Sequence, residues 1–379
     1  MFRREHMFRR QSGDIDMPQA SRGQATFDRL SRKLKDKSLL NANMTLGLAL
    51  GVAGTAALIR ARRRAQLMPL RGQVAVVIGG TRGLGLALAR ELVASGCRVA
   101  ICGRDLPTLE RAREELVQRG GEVLAASCDA TDDADVEQFI DFVLATYGRV
   151  DVLITVAATM RVGPIETMST RDFHLAMNAI LWSSVYPTLA VLPVMKSQQR
   201  GSIVHIASIG GRIAVPHLSP YSTAKFAVIG FSEGIRAELA KDGISVTTVV
   251  PFLMRTASHL HARFKGALEA EYTWFGWSAN SPFAIDPDRA ARRIVRAIAR
   301  GERQVVIGNI AKVAIFANAL WPLATERALE AFARLLPRPP SEIAVASREG
   351  VDIEKESENA ATRVIERLTH ERAARYHQR

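Results

Sequence analysis

Cysteine is scarce: three residues in a chain of 379. Cys97, Cys102 and Cys128 are too few and too closely placed for a disulfide scaffold, and they lack the paired spacing of a zinc site. Such usage fits a reducing compartment. Histidine gives no metal signal either, because His174, His205, His217, His259 and His261 form no i, i+4 pair on a helix. No metal is expected. No repeat of 20–50 residues is present, which excludes solenoids and propellers. Apolar residues at 47% and charged residues at 23% exclude wholesale disorder and collagen-like chains. Acidic side chains are in deficit, 38 against 51 Lys plus Arg, for a net charge of +13. That excess raises the question of nucleic acid or a membrane surface.

The excess is local. Residues 1–71 hold fifteen basic and five acidic side chains, whereas residues 72–379 are nearly balanced. Residues 1–38 are polar and basic without a sustained period, the texture of a disordered arm. Residues 39–59, LLNANMTLGLALGVAGTAALI, carry no charge. As a helix they would reach about 31 Å, close to the roughly 30 Å of a bilayer's hydrocarbon core. Arg32, Lys33, Lys35 and Lys37 precede them; Arg60, Arg62, Arg63 and Arg64 follow in a basic linker, 60–71. Basic flanks around an uncharged helix suit phospholipid head groups. A transmembrane or membrane-anchor helix is therefore expected over 39–59, with membrane lipid rather than nucleic acid as its partner. A helix packed on the rest of the protein is the alternative.

From residue 73 short Val- and Ile-rich runs alternate with helical patterns. The runs are 73–79, 98–103, 122–128, 151–157, 202–208 and 244–250. The helical patterns are 84–96, 105–119, 132–147, 168–198 and 220–241. Six such units predict an α/β fold, a doubly wound Rossmann-type parallel sheet covered on both faces. A helix near 287–300 leads to a seventh strand, Gln304–Gly308. Residues 309–337 read as amphipathic helices, and 338–379 as a charged C-terminal tail with a polar helix over 356–376.

Gly79, Gly83 and Gly85 stand between the first strand and the next helix. There glycine permits a sharp turn, lets backbone approach a pyrophosphate and allows close helix packing. The helix N-terminus presents free N–H groups to phosphate. The second strand ends Ile101-Cys102-Gly103-Arg104. An acid at that strand end suits the 2′-hydroxyl of NAD, and a base suits the 2′-phosphate of NADP. Arg104, with Arg82 in the glycine loop, points to NADP(H) rather than NAD(H).

The fifth strand ends at Ser208. Tyr221 and Lys225 follow at i and i+4, on one helical face, so a cation can sit near a phenol. Asn178 is a further polar candidate upstream. Taken together, residues 72–308 resemble the short-chain dehydrogenase/reductase family. The motifs are Gly79-x-x-x-Gly83-x-Gly85, Asp129 after the third strand, Asn178, Ser208, Tyr221 with Lys225, and Pro251 with Thr256 after the sixth strand. The resemblance implies that Tyr221 is the general acid/base and that Ser208 holds the carbonyl or hydroxyl. It implies that Lys225 binds the nicotinamide ribose and lowers the phenol pKa, and that Asn178 supports a water-linked relay. It also implies cofactor contacts from Gly79, Arg82, Gly83, Leu84, Gly85, Arg104, Asp129, Ala130, Ala157, Tyr221, Lys225, Pro251 and Thr256, and a homo-oligomer built through the helices before the fifth and sixth strands.

Two positions depart from that pattern. Thr155-Val156-Ala157-Ala158 stands where the family has Asn-Asn-Ala-Gly, and Phe252 replaces a glycine. Such departures leave open a catalytically weak, cofactor-binding regulator or scaffold. Over 252–283 the sequence concentrates Phe252, Phe264, Tyr272, Trp274, Phe275 and Trp277, in a chain that is only 6% aromatic. The cluster suggests a lid over a pocket for a lipophilic small molecule; the same rings could instead pack the lid onto the sheet. Arg255 and Lys265 are candidates for an acidic head group. The expectation is an oxidoreductase interconverting carbonyl and alcohol, membrane-associated, with its catalytic domain in the cytoplasm.

Overall fold

The computed structural model of the chain describes residues 68–339 and 346–379. The expected arm 1–38, the expected anchor 39–59 and most of the linker 60–71 lie outside those residues.

The chain begins β1 (Val74–Ile78), α1 (Gly83–Ala94), β2 (Arg98–Gly103), α2 (Leu106–Gln118), β3 (Val123–Ser127), α3 (Asp133–Tyr147) and β4 (Val152–Thr155). It continues through β5 (Arg161–Val162), α4 (Thr170–Met177), α5 (Ser183–Ser197), β6 (Gly201–Ile206), α6 (Ser219–Leu239) and β7 (Ile244–Pro251). Then come β8 (Arg263–Phe264), α7 (Leu268–Asn280), α8 (Pro287–Ala299) and β9 (Gln304–Ile307). The last elements are α9 (Asn309–Leu320), α10 (Pro322–Ala333), β10 (Arg348–Glu349), α11 (Gly350–Glu356) and α12 (Ala360–Arg375).

Seven strands form one parallel sheet in the order β3-β2-β1-β4-β6-β7-β9. The order reverses between β1 and β4, and in sheets of this kind that switch point opens a crevice at the strands' carboxyl ends. Successive side chains of a strand point to opposite faces. Ala75 and Val77 accordingly enter a core layer with α1, α2 and α8, while Val74, Val76 and Ile78 enter the opposite layer with α3 and α5. Burial on both faces explains why the strands read as continuous apolar runs.

Three differences from the sequence expectation bear on the site. The helical pattern 168–198 is two α-helices joined by a π-helical turn, Asn178–Trp182. Pro187 lacks an N–H for the ladder, and the hydroxyls of Ser183 and Ser184 donate to the carbonyls of Ala179 and Ile180. Although Thr170–Ser197 is long and apolar enough to cross a membrane, Val191 and Met195 pack into the core. Next, β5, β8 and β10 form a small second sheet that short strands hid from pattern reading. Finally, residues 346–379 are no free tail. Ile365 and Tyr376 are fully buried, against the lid and between α1 and α8 respectively.

Candidate active site

The crevice is walled on one side by the glycine loop. Gly79 has φ +83°, and a Cβ on Gly85 would lie 2.0 Å from the carbonyl oxygen of Gly79. Only glycine lets α1 start that close to β1. No side chain caps α1, and its first turn holds no acid. Its N-terminus is therefore electropositive, although the N–H of Gly83 itself donates to the carbonyl of Tyr376. These features fit a dinucleotide.

At the end of β2, Arg104 is exposed and pairs with Asp129 at 3.5 Å. Burial pushes the Asp129 carboxyl up, but hydrogen bonds from Thr131 and the charge of Arg104 outweigh it, and the net shift is downward. Arg82 donates to Asp105 at 2.9 Å and is hydrogen-bonded to His261 at 3.2 Å. Both cations expected beside the adenosine ribose are thus at that strand end, each with an acid beside it. Ala130 and Ala157 are half-buried, Ala157 against Gly79. Pro251 ends β7, and Thr256 is buried beside Gly83. Leu84, in the first turn of α1, is buried in the core.

On the other side, Ser208, Tyr221 and Lys225 converge. The Ser208 hydroxyl accepts from the N–H of Gly210 at 3.1 Å and is the hydrogen-bond partner of the Tyr221 phenol. Lys225 is buried, donates to the carbonyl of Ile206 at 2.7 Å and stands 5.7 Å from the centre of the Tyr221 ring. Burial draws the Lys225 ammonium down to about 7. Burial also pushes the Tyr221 phenol above its usual value, and the Ser208 hydrogen bond only partly offsets this. The expected lowering of the phenol by Lys225 is therefore absent here, since desolvation favours the neutral form of both groups.

Asn178 stands on a turn that packs against α6, the helix of Tyr221 and Lys225. It opens this π-helical turn and is exposed. The wider turn rotates Ile180 inward, into the apolar cluster that touches Tyr221. Thr155 is buried and donates to Ser184 at 3.1 Å, so its hydroxyl ties β4 to α5.

The lid rings divide. Phe264, Tyr272 and Phe275 are buried with Ile353 and Ile365, so they pack the C-terminal helices onto the lid and do not line a pocket. Met160, Val215, Leu268 and Trp274 are half-buried in the same cluster beside Tyr221. Lys265 is buried and paired with Asp172 at 2.6 Å, which removes it as a head-group ligand. Sequence reasoning missed one neighbour of the glycine loop. Tyr376, near the end of the sequence, accepts the N–H of Gly83 at 2.9 Å.

The profile of the short chain dehydrogenase family matches residues 73–264. The chain belongs to that family. A dehydrogenase/reductase SDR family protein 7-like of Anopheles gambiae is 32% identical over 254 residues, 65% of this chain and 78% of the relative. Dehydrogenase/reductase SDR family member 7B of Danio rerio is 28% identical over 296 residues, 76% of this chain and 94% of that one. Among solved structures, an actinorhodin polyketide ketoreductase variant with NADPH is similar at TM-score 0.57 and 28% identity, over 63% of this chain and 97% of its own. A short-chain dehydrogenase from Streptomyces avermitilis is similar at TM-score 0.60 and 29% identity, over 69% and 98%. The chain is thus a short-chain oxidoreductase of a family that binds NAD(P)(H).

Proposed function

We propose that the chain interconverts a ketone or aldehyde and its alcohol on a lipophilic substrate, with NADP(H), at a membrane. The convergence of Ser208, Tyr221 and Lys225 beside the switch-point crevice carries this reading. A nicotinamide cofactor bound along Gly79–Gly85 and Thr256 would supply the hydride to the carbonyl carbon in reduction and accept it in oxidation. In reduction, Ser208 holds the carbonyl oxygen and Tyr221 transfers its phenolic proton to that oxygen; the C=O π bond opens and the alcohol O–H forms. The raised phenol is fully protonated at neutral pH, as a proton donor must be. Lys225, when protonated, stabilises the phenolate left behind. Asn178, on the turn packed against α6, supports a water-linked proton relay to this group.

Several features support the finer points. Arg104 and Arg82 at the end of β2, with Gly103 where an acid would stand, favour a 2′-phosphate. The structural relative holding NADPH is consistent with that. Met160, Val215, Leu268 and Trp274 beside Tyr221 favour an apolar substrate, and the uncharged segment 39–59 with its basic flanks favours lipid. The test is NADPH and NADH consumption against lipophilic aldehydes and ketones. Turnover with a kcat/KM preference for NADPH is expected, and Arg104→Ala should narrow that preference. Tight NADPH binding without turnover on any carbonyl would favour a cofactor-binding regulator instead.

A further inference from the structure

Residues 376–379 lie across the glycine loop. The Tyr376 ring is buried in the core behind α1, and its carbonyl accepts the N–H of Gly83 at 2.9 Å. Gln378 is only 6% exposed. Its amide nitrogen stands 3.0 Å from the point where a Cβ on Gly83 would sit, and the Thr256 side chain lies 3.8 Å from the same point. Gly83 is the glycine whose missing side chain lets a pyrophosphate reach the loop. Here Gln378 takes that opening, and the N–H of Gly83 is already spent on the chain's own backbone. A phosphate oxygen and the Gln378 amide cannot both stand there.

What holds the segment there is polar. Helix α12 ends in a Schellman motif, in which the N–H of Gln378 donates to the carbonyl of Ala373 at 2.8 Å and that of His377 to Ala374 at 3.2 Å. His377 takes the left-handed turn of the motif, with φ +52°, at a cost that glycine would not bear. The Gln378 carbonyl lies 3.0 Å from the His261 ring, which lies 3.2 Å from the Arg82 guanidinium. The carbonyl of Arg379 accepts from Arg111 at 3.3 Å, and the Arg379 guanidinium pairs with Glu354. His377 stands 3.1 Å from Glu115. Beyond the Tyr376 ring, His377, Gln378 and Arg379 bring no apolar side chain to the core. They can leave the loop without opening the core behind it.

We propose that residues 377–379 are an autoinhibitory strap, a tethered occupant of the cofactor site that must swing out before a dinucleotide binds; this rests on the nicotinamide-cofactor reading above. The Tyr376 ring stays in the core as the pivot, and the bond from Gly83 to the Tyr376 carbonyl breaks. Closed strap and bound cofactor exclude each other. The apparent dissociation constant is then the intrinsic one divided by the open fraction. A pyrophosphate is common to NADPH and NADH, so the strap weakens both alike.

The experiment uses the full chain as wild type and as Gln378→Gly, beside a chain ending at Tyr376. Dissociation constants for NADPH and NADH are read by titrating tryptophan fluorescence at a temperature where all three proteins are folded. Amide hydrogen exchange at His377 and Gln378 is followed in the wild type with and without NADPH. For a strap closed about nine-tenths of the time, the shortened chain should bind both cofactors about tenfold tighter. Gln378→Gly, which removes the amide and loosens the backbone, should move the same way by about threefold. NADPH should speed exchange at His377 and Gln378. Unchanged or weaker binding by both variants overturns the proposal alone. So does slower exchange with NADPH, which would make the segment part of the bound state, and so does a gain confined to NADPH. If the shortened chain fails to fold, Gln378→Gly and the exchange rates decide. Failure of the wild type and both variants to bind either dinucleotide overturns it together with the reading beneath it.

Discussion

Burial acts in opposite directions on the two titratable groups of the site, the Tyr221 phenol raised and the Lys225 ammonium drawn down to about 7. Each shift favours the neutral form. Replacing Tyr221 with Phe removes the proton donor and keeps the ring; turnover should fall by about a thousandfold, with the NADPH dissociation constant nearly unchanged. Retained turnover would remove Tyr221 from its role. Lys225 makes a second expectation, for stability. Its folded pKa lies below the ordinary lysine value near 10.4, so between pH 7 and about 10 the unfolded chain holds the proton that the folded chain has released. Stability from this group therefore rises with pH across that window and is level below pH 7. The urea midpoint of the wild type relative to Lys225→Met should climb from pH 7 to pH 9.5. A flat difference would mean that Lys225 keeps its charge when folded.

Elements set which residues reach the site, and here the sequence was legible unevenly. The glycine loop, the strand-end Ser208 and the Tyr221–Lys225 pair were readable because short spacings fix them: a strand–turn–helix junction and one turn of helix. The placement of Asn178 was less legible, because it depends on the π-helical turn, a one-residue change of phase that periodicity does not register. The structure leaves Asn178 exposed and buries Ile180. With Asn178 supporting the relay, Asn178→Ala should lower kcat about tenfold or more; a change below about threefold in steady-state turnover would remove the residue from the site. The C-terminal helices were equally hidden. Their charge balance reads as a solvated tail, but their apolar stripe is spent on Phe264, Tyr272 and Phe275 of the lid. Tyr376→Ala empties a buried ring site behind α1 and should cost about 3 kcal/mol in denaturant unfolding.

For the whole molecule, the seven-strand order follows from the alternation of apolar runs and helical patterns, and it brings distant segments to one switch point. The +13 net charge, in contrast, says little about that site. Most of the excess belongs to residues 1–71, around an uncharged stretch, and the folded body behind them is nearly balanced. If 39–59 anchors the chain, the full-length protein should stay with membranes through carbonate washing, and a chain starting at Gln66 should be released. The measurement that bears most directly on the chemistry is a single turnover. Protein loaded with NADPH is mixed with an apolar ketone, and the loss of reduced-nicotinamide absorbance is followed in the wild type and in Tyr221→Phe. Rapid loss in the wild type, with alcohol formed in equal amount, and none in Tyr221→Phe is the expected result. Equal rates in the two proteins would contradict proton transfer from Tyr221.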